Sequence, residues 1–500
     1  MDKRKKIRNN IIFGLGGKLI TMALGLIVPR LMLTGYGSEV NGLFSTVTNV
    51  YTYLAILEAG IGASAIQMLY KPINENDHSM INKVLSSAKK YYHKCSLYYF
   101  IGVIITAFAL PLILNTSIAT TTIVLIVLLQ GFASLTNFYV LAGENVILTA
   151  DGKEYVNSNI QLLVTILTSI AKIVLVNLQV NIVVLQLSYF LISMIQIAAF
   201  KIYIKRAFPW VDNNCYDPTV KLKQRNSLLI GNVVYVVFNN TDTIIISIFC
   251  GLKSASVYAI YNLVFTSILG LVNAIFNGLK FTLGQTYNRD INQYKVLHDN
   301  YKSLYCAFVF SVISVCYLLL EPFMKLYTSG VSDIDYVDPY LPLLFCLVNL
   351  LSMCRTTENN LVTVAFHTKQ TLPRAIFEAV INLTITLVLV NRIGIYGCLI
   401  GTIVALLYRI NDIIWYSNVR ILKRKPKQTY ITIISNFTVF FLFVIVRESI
   451  VIDIHNYYQF LIYGILFTAI SITVYFSLAM LTNTRMLSYV KHILNRKRLK

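Results

Sequence analysis

Charged side chains are scarce in this chain: Asp, Glu, Lys and Arg make up 13% of it. A soluble protein needs roughly 25% to cover its surface, so much of this surface must face something other than water. Metal and redox signatures are lacking as well. The eight cysteines (Cys95, Cys215, Cys250, Cys306, Cys316, Cys346, Cys354, Cys398) are scattered, most of them in apolar runs. None makes a CxxC or zinc spacing, and they read as small buried hydrophobes. The six histidines lie in loops or near the ends of apolar runs, without HExxH spacing. No Ser–His–Asp arrangement can be argued from them. Gly16-Gly17-Lys18 is followed by Leu19 where a phosphate-binding loop needs Ser or Thr, and the upstream glycine is missing. Asp333-Ile334-Asp335 is a three-residue pattern in a short, solvated loop. Long polar segments are absent too: the longest loops, near 70–92, 205–225 and 283–301, leave no room for an ordered soluble domain.

What the chain has instead is hydrophobic length. Apolar residues make up 56% of it and the mean hydropathy is +0.65. A hydrocarbon core about 30 Å thick takes roughly 20 helical residues to cross. Runs of that length fall at 11–33, 43–69, 93–114, 118–142, 156–176, 182–204, 226–251, 257–282, 302–327, 338–364, 371–392, 394–418, 429–448 and 458–482. The expected fold is therefore all-α and polytopic, with about 14 transmembrane helices. The opening MDKRKKIRNN and the apolar stretch behind it are too long, and lack a small-residue cleavage site, for a signal peptide. They read as a retained first helix.

The formal charge of +21 raises nucleic acid as a partner, but no basic segment outside the apolar runs is interleaved with aromatics as a single-strand binder requires. The charge marks orientation instead. With both termini in the cytoplasm, inside segments and the inner ends of spans carry 33 of the 43 Lys and Arg, and six more lie within spans. Outside loops and the outer ends of spans carry four: Lys253, Lys325, Arg392 and Arg447. A missed helix would invert this alternation downstream of it.

The chain also repeats. Glu144-Asn145 and Glu358-Asn359 stand 214 residues apart near the ends of spans 4 and 10. Leu175-Val176-Asn177 and Leu389-Val390-Asn391 close spans 5 and 11 at the same 214-residue offset. Six spans per block is an even number, so the two six-helix bundles share one topology and are expected to be related by a pseudo-two-fold along the membrane normal, with substrate bound between the halves. The expected division is 1–210 for the first half and 211–424 for the second. Residues 425–500 add helices 13 and 14, entered through the basic Lys423-Arg424-Lys425-Pro426-Lys427, and a basic cytoplasmic tail.

An ionisable side chain deep in a bilayer costs about 2.5–3.5 kcal/mol on insertion scales, so each calls for a wet cavity or a partner. Such residues are Lys18, Arg30, Glu58, Lys172, Asp242, Lys280, Arg355, Glu358, Glu378, Arg409 and Asp412. Lys172 and Lys280 lie close enough to helix ends to snorkel. Arg355/Glu358 and Arg409/Asp412 are spaced i,i+3, which allows ion pairs within one helix or contact with substrate. Glu58 and Asp242 have no opposite charge within a turn. Asp242 sits in Asn239-Asn240-Thr241-Asp242-Thr243, a polar island that can hydrate a cavity, bind sodium, hold a proton, or knot helices together by hydrogen bonds. Arg30 follows Pro29, which can bend its helix; it can hold a phosphate bidentately or mark the outer interface.

Ile27-Val28-Pro29-Arg30 with Tyr36-Gly37-Ser38-Glu39-Val40-Asn41-Gly42-Leu43 resembles the first helix and loop of Wzx-type polysaccharide repeat-unit flippases. Leu57-Glu58-Ala59-Gly60-Ile61-Gly62 resembles the end of their second helix. Asn240-Thr241-Asp242, Gly251-Leu252 and Val257-Tyr258-Ala259-Ile260-Tyr261 are similar to the start of their second half. These flippases belong to the multidrug/oligosaccharidyl-lipid/polysaccharide (MOP) exporter superfamily. The resemblance implies transport, not enzymology: an undecaprenyl-pyrophosphate-linked oligosaccharide is moved from the cytoplasmic to the outer leaflet of a bacterial cytoplasmic membrane, for O-antigen or capsule synthesis. It implies Lys18, Arg30, Arg355 and Arg409 as substrate contacts, and Asp242, Glu58, Asn239 and Glu358 as candidates for coupling. No cofactor is expected beyond a proton or sodium gradient. The implied partners are the lipid bilayer, a polysaccharide polymerase and a chain-length regulator. The rival within transporters is a cation-coupled multidrug exporter, which favours an acidic, aromatic cavity. A polysaccharide polymerase or ligase needs a sizeable outer loop with catalytic basic residues, which this chain lacks.

Overall fold

The computed structural model describes residues 3–483 apart from 59, 141, 213–214, 221–224 and 450–451; the basic tail from 484 onward lies outside the described residues. Every regular element among the described residues is helical. Eleven helical segments are long and apolar enough to cross a membrane, and Thr120–Thr136 is apolar but shorter. The chain is a multi-pass membrane protein.

The backbone accounts for two of the three spans between eleven and the fourteen expected, and the fourth expected span runs into residues outside the described ones. The first helix, α1 (Lys3–Leu54), carries Gly37 at φ 81°, a state glycine reaches without a Cβ penalty. Gly37 thus splits α1 into the first expected span and the start of the second. The second span then tightens into a 3₁₀ turn, Ala55–Glu58, and resumes beyond Gly60 (φ 87°) as α2 (Ile61–Glu75). The fourth expected span corresponds to α4 (Thr120–Val140); α5 (Ala142–Ala150) follows it, and residue 141 between them lies outside the described residues. The tenth is divided into α11 (Leu341–Cys354) and α12 (Thr356–Val364).

The remaining helices are α3 (His78–Ile113), α6 (Glu154–Asn177), α7 (Ile182–Ala207), α8 (Arg225–Phe249), α9 (Leu252–Arg289), α10 (Ile291–Tyr327), α13 (Thr368–Ile393), α14 (Ile395–Trp415), α15 (Lys427–Ser449) and α16 (Tyr457–Thr482). The repeat recurs in their ends. Ala150 and Val364 close, and Glu154 and Thr368 open, matching helices 214 residues apart. The matching long helices α3 and α10 are both capped by an aspartate, whose Oδ1 accepts from backbone N–H groups of the first turn: Asp77 from Met80 at 2.9 Å, Asp290 from Asn292 at 2.8 Å.

Two compact units divide the chain, Met1–Ala259 and Ile260–Lys500, so α8 belongs to the first, where it packs on α1. In this unit α3 is the spine. Its outward stripe, Leu97, Ile101, Ile105, Phe108 and Leu112, is exposed, with Leu112 87% open. Its inward stripe, Tyr99, Val103, Ala107 and Leu110, packs with Leu43, Val47, Ile126 and Leu185 in one core. An apolar stripe of that length at i,i+3/i+4 spacing finds its solvent in lipid. A second core gathers Ile61, Leu69, Leu85, Val146 and Phe200 around the other end of α3.

In the second unit α10 is the spine, packed by α11, α15 and α16. Ser471 Oγ donates to the Ser311 carbonyl at 3.0 Å, and the Ser314 and Tyr475 hydroxyls lie 2.8 Å apart, tying α16 to α10. The hairpin α13–α14 closes on Gly397 and Gly401, a small-xxx-small pair that lets two membrane helices approach closely. A Cβ on Gly397 would lie 2.7 Å from the Leu389 carbonyl carbon and 2.9 Å from its oxygen. Across the same seam Asn382 Nδ2 donates to Thr402 Oγ1 at 2.7 Å. Gly397→Ala is therefore expected to destabilise the hairpin by about 1–3 kcal/mol, the cost of overpacking, and to lower the Tm in detergent; an unchanged Tm would show that the seam yields.

Candidate functional site

In the first unit the polar island of α8 is turned toward two tyrosines. Asp242 is 5% exposed and its Oδ2 accepts from the Tyr258 hydroxyl at 3.3 Å. The Thr241 hydroxyl meets that of Tyr53, near the end of α1, and donates to the Val237 carbonyl at 2.5 Å. Asn239 does not join this group: it is exposed, and its amide donates back to the Tyr235 carbonyl at 2.7 Å. Glu58 closes the 3₁₀ turn, half-buried, where that turn packs on α3 and α8. Tyr92 and Tyr99 lie within electrostatic reach of its carboxylate, and no cation among the described residues pairs with it. Lys18 stands exposed on α1 and Arg30 half-buried on the same helix. Lys172, on α6, lies 5.6 Å above the Tyr189 ring instead of standing alone.

The second unit holds two ionic networks, and they part the residues that sequence spacing joins. Arg355 and Glu358 are not an i,i+3 pair. Arg355 joins α11 to α12 with helical φ/ψ (−77°, −17°), and each of the two side chains finds its partner on another helix. Arg355 pairs with Glu378 of α13. Arg409 of α14 shares that carboxylate, at 3.4 Å, and also holds Asp412 at 2.7 Å, the i,i+3 pair expected from spacing. Arg374 reaches the other Asp412 oxygen at 3.0 Å and lies 4.8 Å above the Tyr416 ring. Three guanidiniums thus surround two carboxylates, leaving one positive charge in excess.

Glu358 belongs to the other network. It is fully buried, ion-paired to Lys302 of α10, with His298 Nε2 at 3.9 Å and the Ser417 hydroxyl donating to it. Lys302 also donates to Thr429 Oγ1 of α15 at 2.6 Å. Ser417 lies in a π-helical turn, Tyr416–Ile421, at the end of α14. Neither Lys302 nor Arg374 was a sequence candidate. Both sit at the margins of apolar runs, where a basic residue passes for an interfacial anchor. Among the described residues no three or more His, Cys, Asp or Glu gather as metal ligands would.

No family profile matches this sequence, and no curated protein matches it. Solved structures do. The lipid II flippase MurJ, in its inward closed conformation, aligns over 94% of this chain and 99% of its own, at TM-score 0.66 and 15% identity. The chain shares that fold. An inward-facing multidrug resistance MATE transporter aligns over 81% of this chain and 98% of its own, at TM-score 0.60 and 14% identity. A MOP-superfamily transporter from Pyrococcus furiosus aligns over 85% and 98%, at TM-score 0.56 and 13% identity.

Proposed function

We propose that the chain is a flippase for a lipid-linked oligosaccharide, carrying an undecaprenyl-pyrophosphate-anchored repeat unit from the cytoplasmic to the outer leaflet of a bacterial cytoplasmic membrane by alternating access. The observation that carries this reading is the cluster of Arg355, Arg374 and Arg409 around Glu378 and Asp412. Each guanidinium offers five N–H donors and each carboxylate about four acceptor sites, so donors are left over as well as charge. Surplus planar donors suit a pyrophosphate, which takes them bidentately. Near-complete alignment with a flippase of a lipid-borne substrate supports the reading at the level of fold. Lys18 and Arg30 on α1 are the cationic contacts proposed for the first unit. The polyprenyl tail stays in lipid while the headgroup crosses.

Coupling is assigned to Asp242 and Glu58, with proton or sodium as the driving ion. A second reading, export of small organic cations, draws on Asp242 beside Tyr258 and on the neighbouring Tyr53–Thr241 pair, an acid among aromatics. Liposomes carrying fluorescent undecaprenyl-pyrophosphate oligosaccharide separate the two. Wild type is expected to bring the inner-leaflet pool to the surface, faster under an imposed proton or sodium gradient. Asp242→Asn is expected to keep its fold and lose that gradient response. If a cationic dye moves and the lipid does not, the exporter reading replaces the flippase.

A further inference from the structure

On the face that the charge pattern turns to the cytoplasm, the second unit has a pocket of about 390 Å³, within the ~300–1,000 Å³ of small-molecule sites. It lies between the first turns of α10, the segment entering α15 and the end of α16. Its frame is already bonded. Asp299 is spanned by Arg424 through two N–H groups at 2.7 and 2.6 Å, and Arg424 Nε donates to Asn418 Oδ1 at 3.0 Å. Asn483 Nδ2 donates to Asn300 Oδ1 and Ser303 Oγ, and Gln428 Nε2 to the Thr482 carbonyl at 2.9 Å. Lys295 and Lys425 complete the lining, and neither has an ion-pair partner among the described residues. Three cations therefore face one carboxylate that a bidentate bridge already neutralises. Two of the five Arg424 N–H groups are left over.

We infer that this pocket binds a phosphate ester. Two unpaired ammoniums beside a guanidinium with spare donors give a phosphate both charge and directed hydrogen bonds. The first turn of α15, opening at Lys427, adds the positive end of its dipole. Basic pockets between membrane helices on the cytoplasmic side take anionic lipid headgroups in the same manner. The inference stands apart from the flippase reading, since it uses none of the residues assigned to that site.

The test compares wild type with Lys295→Gln/Lys425→Gln and with a charge-matched control, Lys369→Gln/Lys423→Gln, at exposed lysines outside the pocket. Binding of dioleoylphosphatidylglycerol and of dioleoylphosphatidylcholine is read by native mass spectrometry, and inorganic phosphate by its effect on the Tm. The pocket variant is expected to hold phosphatidylglycerol about tenfold more weakly than wild type, or to lose the rise in Tm with inorganic phosphate, while the control keeps both. A loss confined to the lipid identifies a headgroup; a loss confined to phosphate identifies a soluble phosphate compound. Equal losses in variant and control overturn the inference, as does a wild type that neither prefers phosphatidylglycerol nor responds to phosphate. Lys425→Gln alone, at an exposed side chain, carries the same comparison should the double variant not fold.

Discussion

Glu358→Leu is expected to cost about 3–5 kcal/mol, because it strands the Lys302 ammonium, 2% exposed, without a counter-ion. For a unit of this size that corresponds to a Tm lower by about 10 °C. Lys302→Met is expected to cost as much, since it strands the carboxylate instead. The double variant Lys302→Met/Glu358→Leu is expected to recover most of the loss, because replacing a buried ion pair by apolar groups of similar volume is often neutral. Recovery stays incomplete: Ser417 loses its acceptor on Glu358 and keeps the Ile414 carbonyl at 3.2 Å, while Thr429 loses Lys302 and keeps Asn418 at 3.3 Å. Thermal unfolding in detergent of all four proteins gives the coupling energy directly. A double variant as unstable as either single would place the cost elsewhere, in the packing of α12 against α10. The same protein decides what Glu358 does. A folded double variant that still responds to an ion gradient confines Glu358 to holding helices together, and one that flips without responding makes it a coupling group.

The membrane spans were legible because each is a run of about twenty apolar residues, and hydropathy needs nothing more. Their interruptions were not. A hydropathy window passes smoothly over Ala55–Glu58 and over Arg355, since a broken helix buries the same side-chain types as a straight one. The repeat surfaced as two short identities, yet the helix ends match at the same offset where no residue does, as at Ala150 and Val364.

The site was half legible for a related reason. Arg355, Glu378, Arg409 and Asp412 stand out against apolar neighbours, and the i,i+3 rule gave the true partner of Arg409. For Arg355 the rule fails, because Glu378 on α13 and Lys302 on α10 take the two partners that spacing would join. Lys302 and Arg374 hid at the margins of spans, where the positive-inside pattern explains a basic residue without any partner. Asp242 was found as a polar island, but Tyr53 is 188 positions from Thr241 in sequence, and no local pattern announces such a contact.

Arg374→Gln is the sharpest probe of what the arginine cluster is for. Its side chain is 33% exposed, and Asp412 keeps Arg409 at 2.7 Å when Arg374 is gone, so the fold should barely notice: a partly exposed ion pair is worth about 0–1 kcal/mol. The cluster, however, falls from one excess positive charge to none. One charge-assisted hydrogen bond to a phosphate oxygen is worth about 1.5–3 kcal/mol, so flipping of the pyrophosphate-linked lipid is expected to slow about ten- to hundredfold at unchanged Tm. Arg374→Lys keeps the charge and loses the planar fork, and its rate should fall between the two. Adding Asp412→Asn to Arg374→Gln restores the excess charge and should recover part of the rate if the field matters, and none if only the fork does. For a cation exporter the sign reverses: removing a guanidinium lowers the barrier to a positive substrate, so Arg374→Gln would speed dye movement while wild type remained slow.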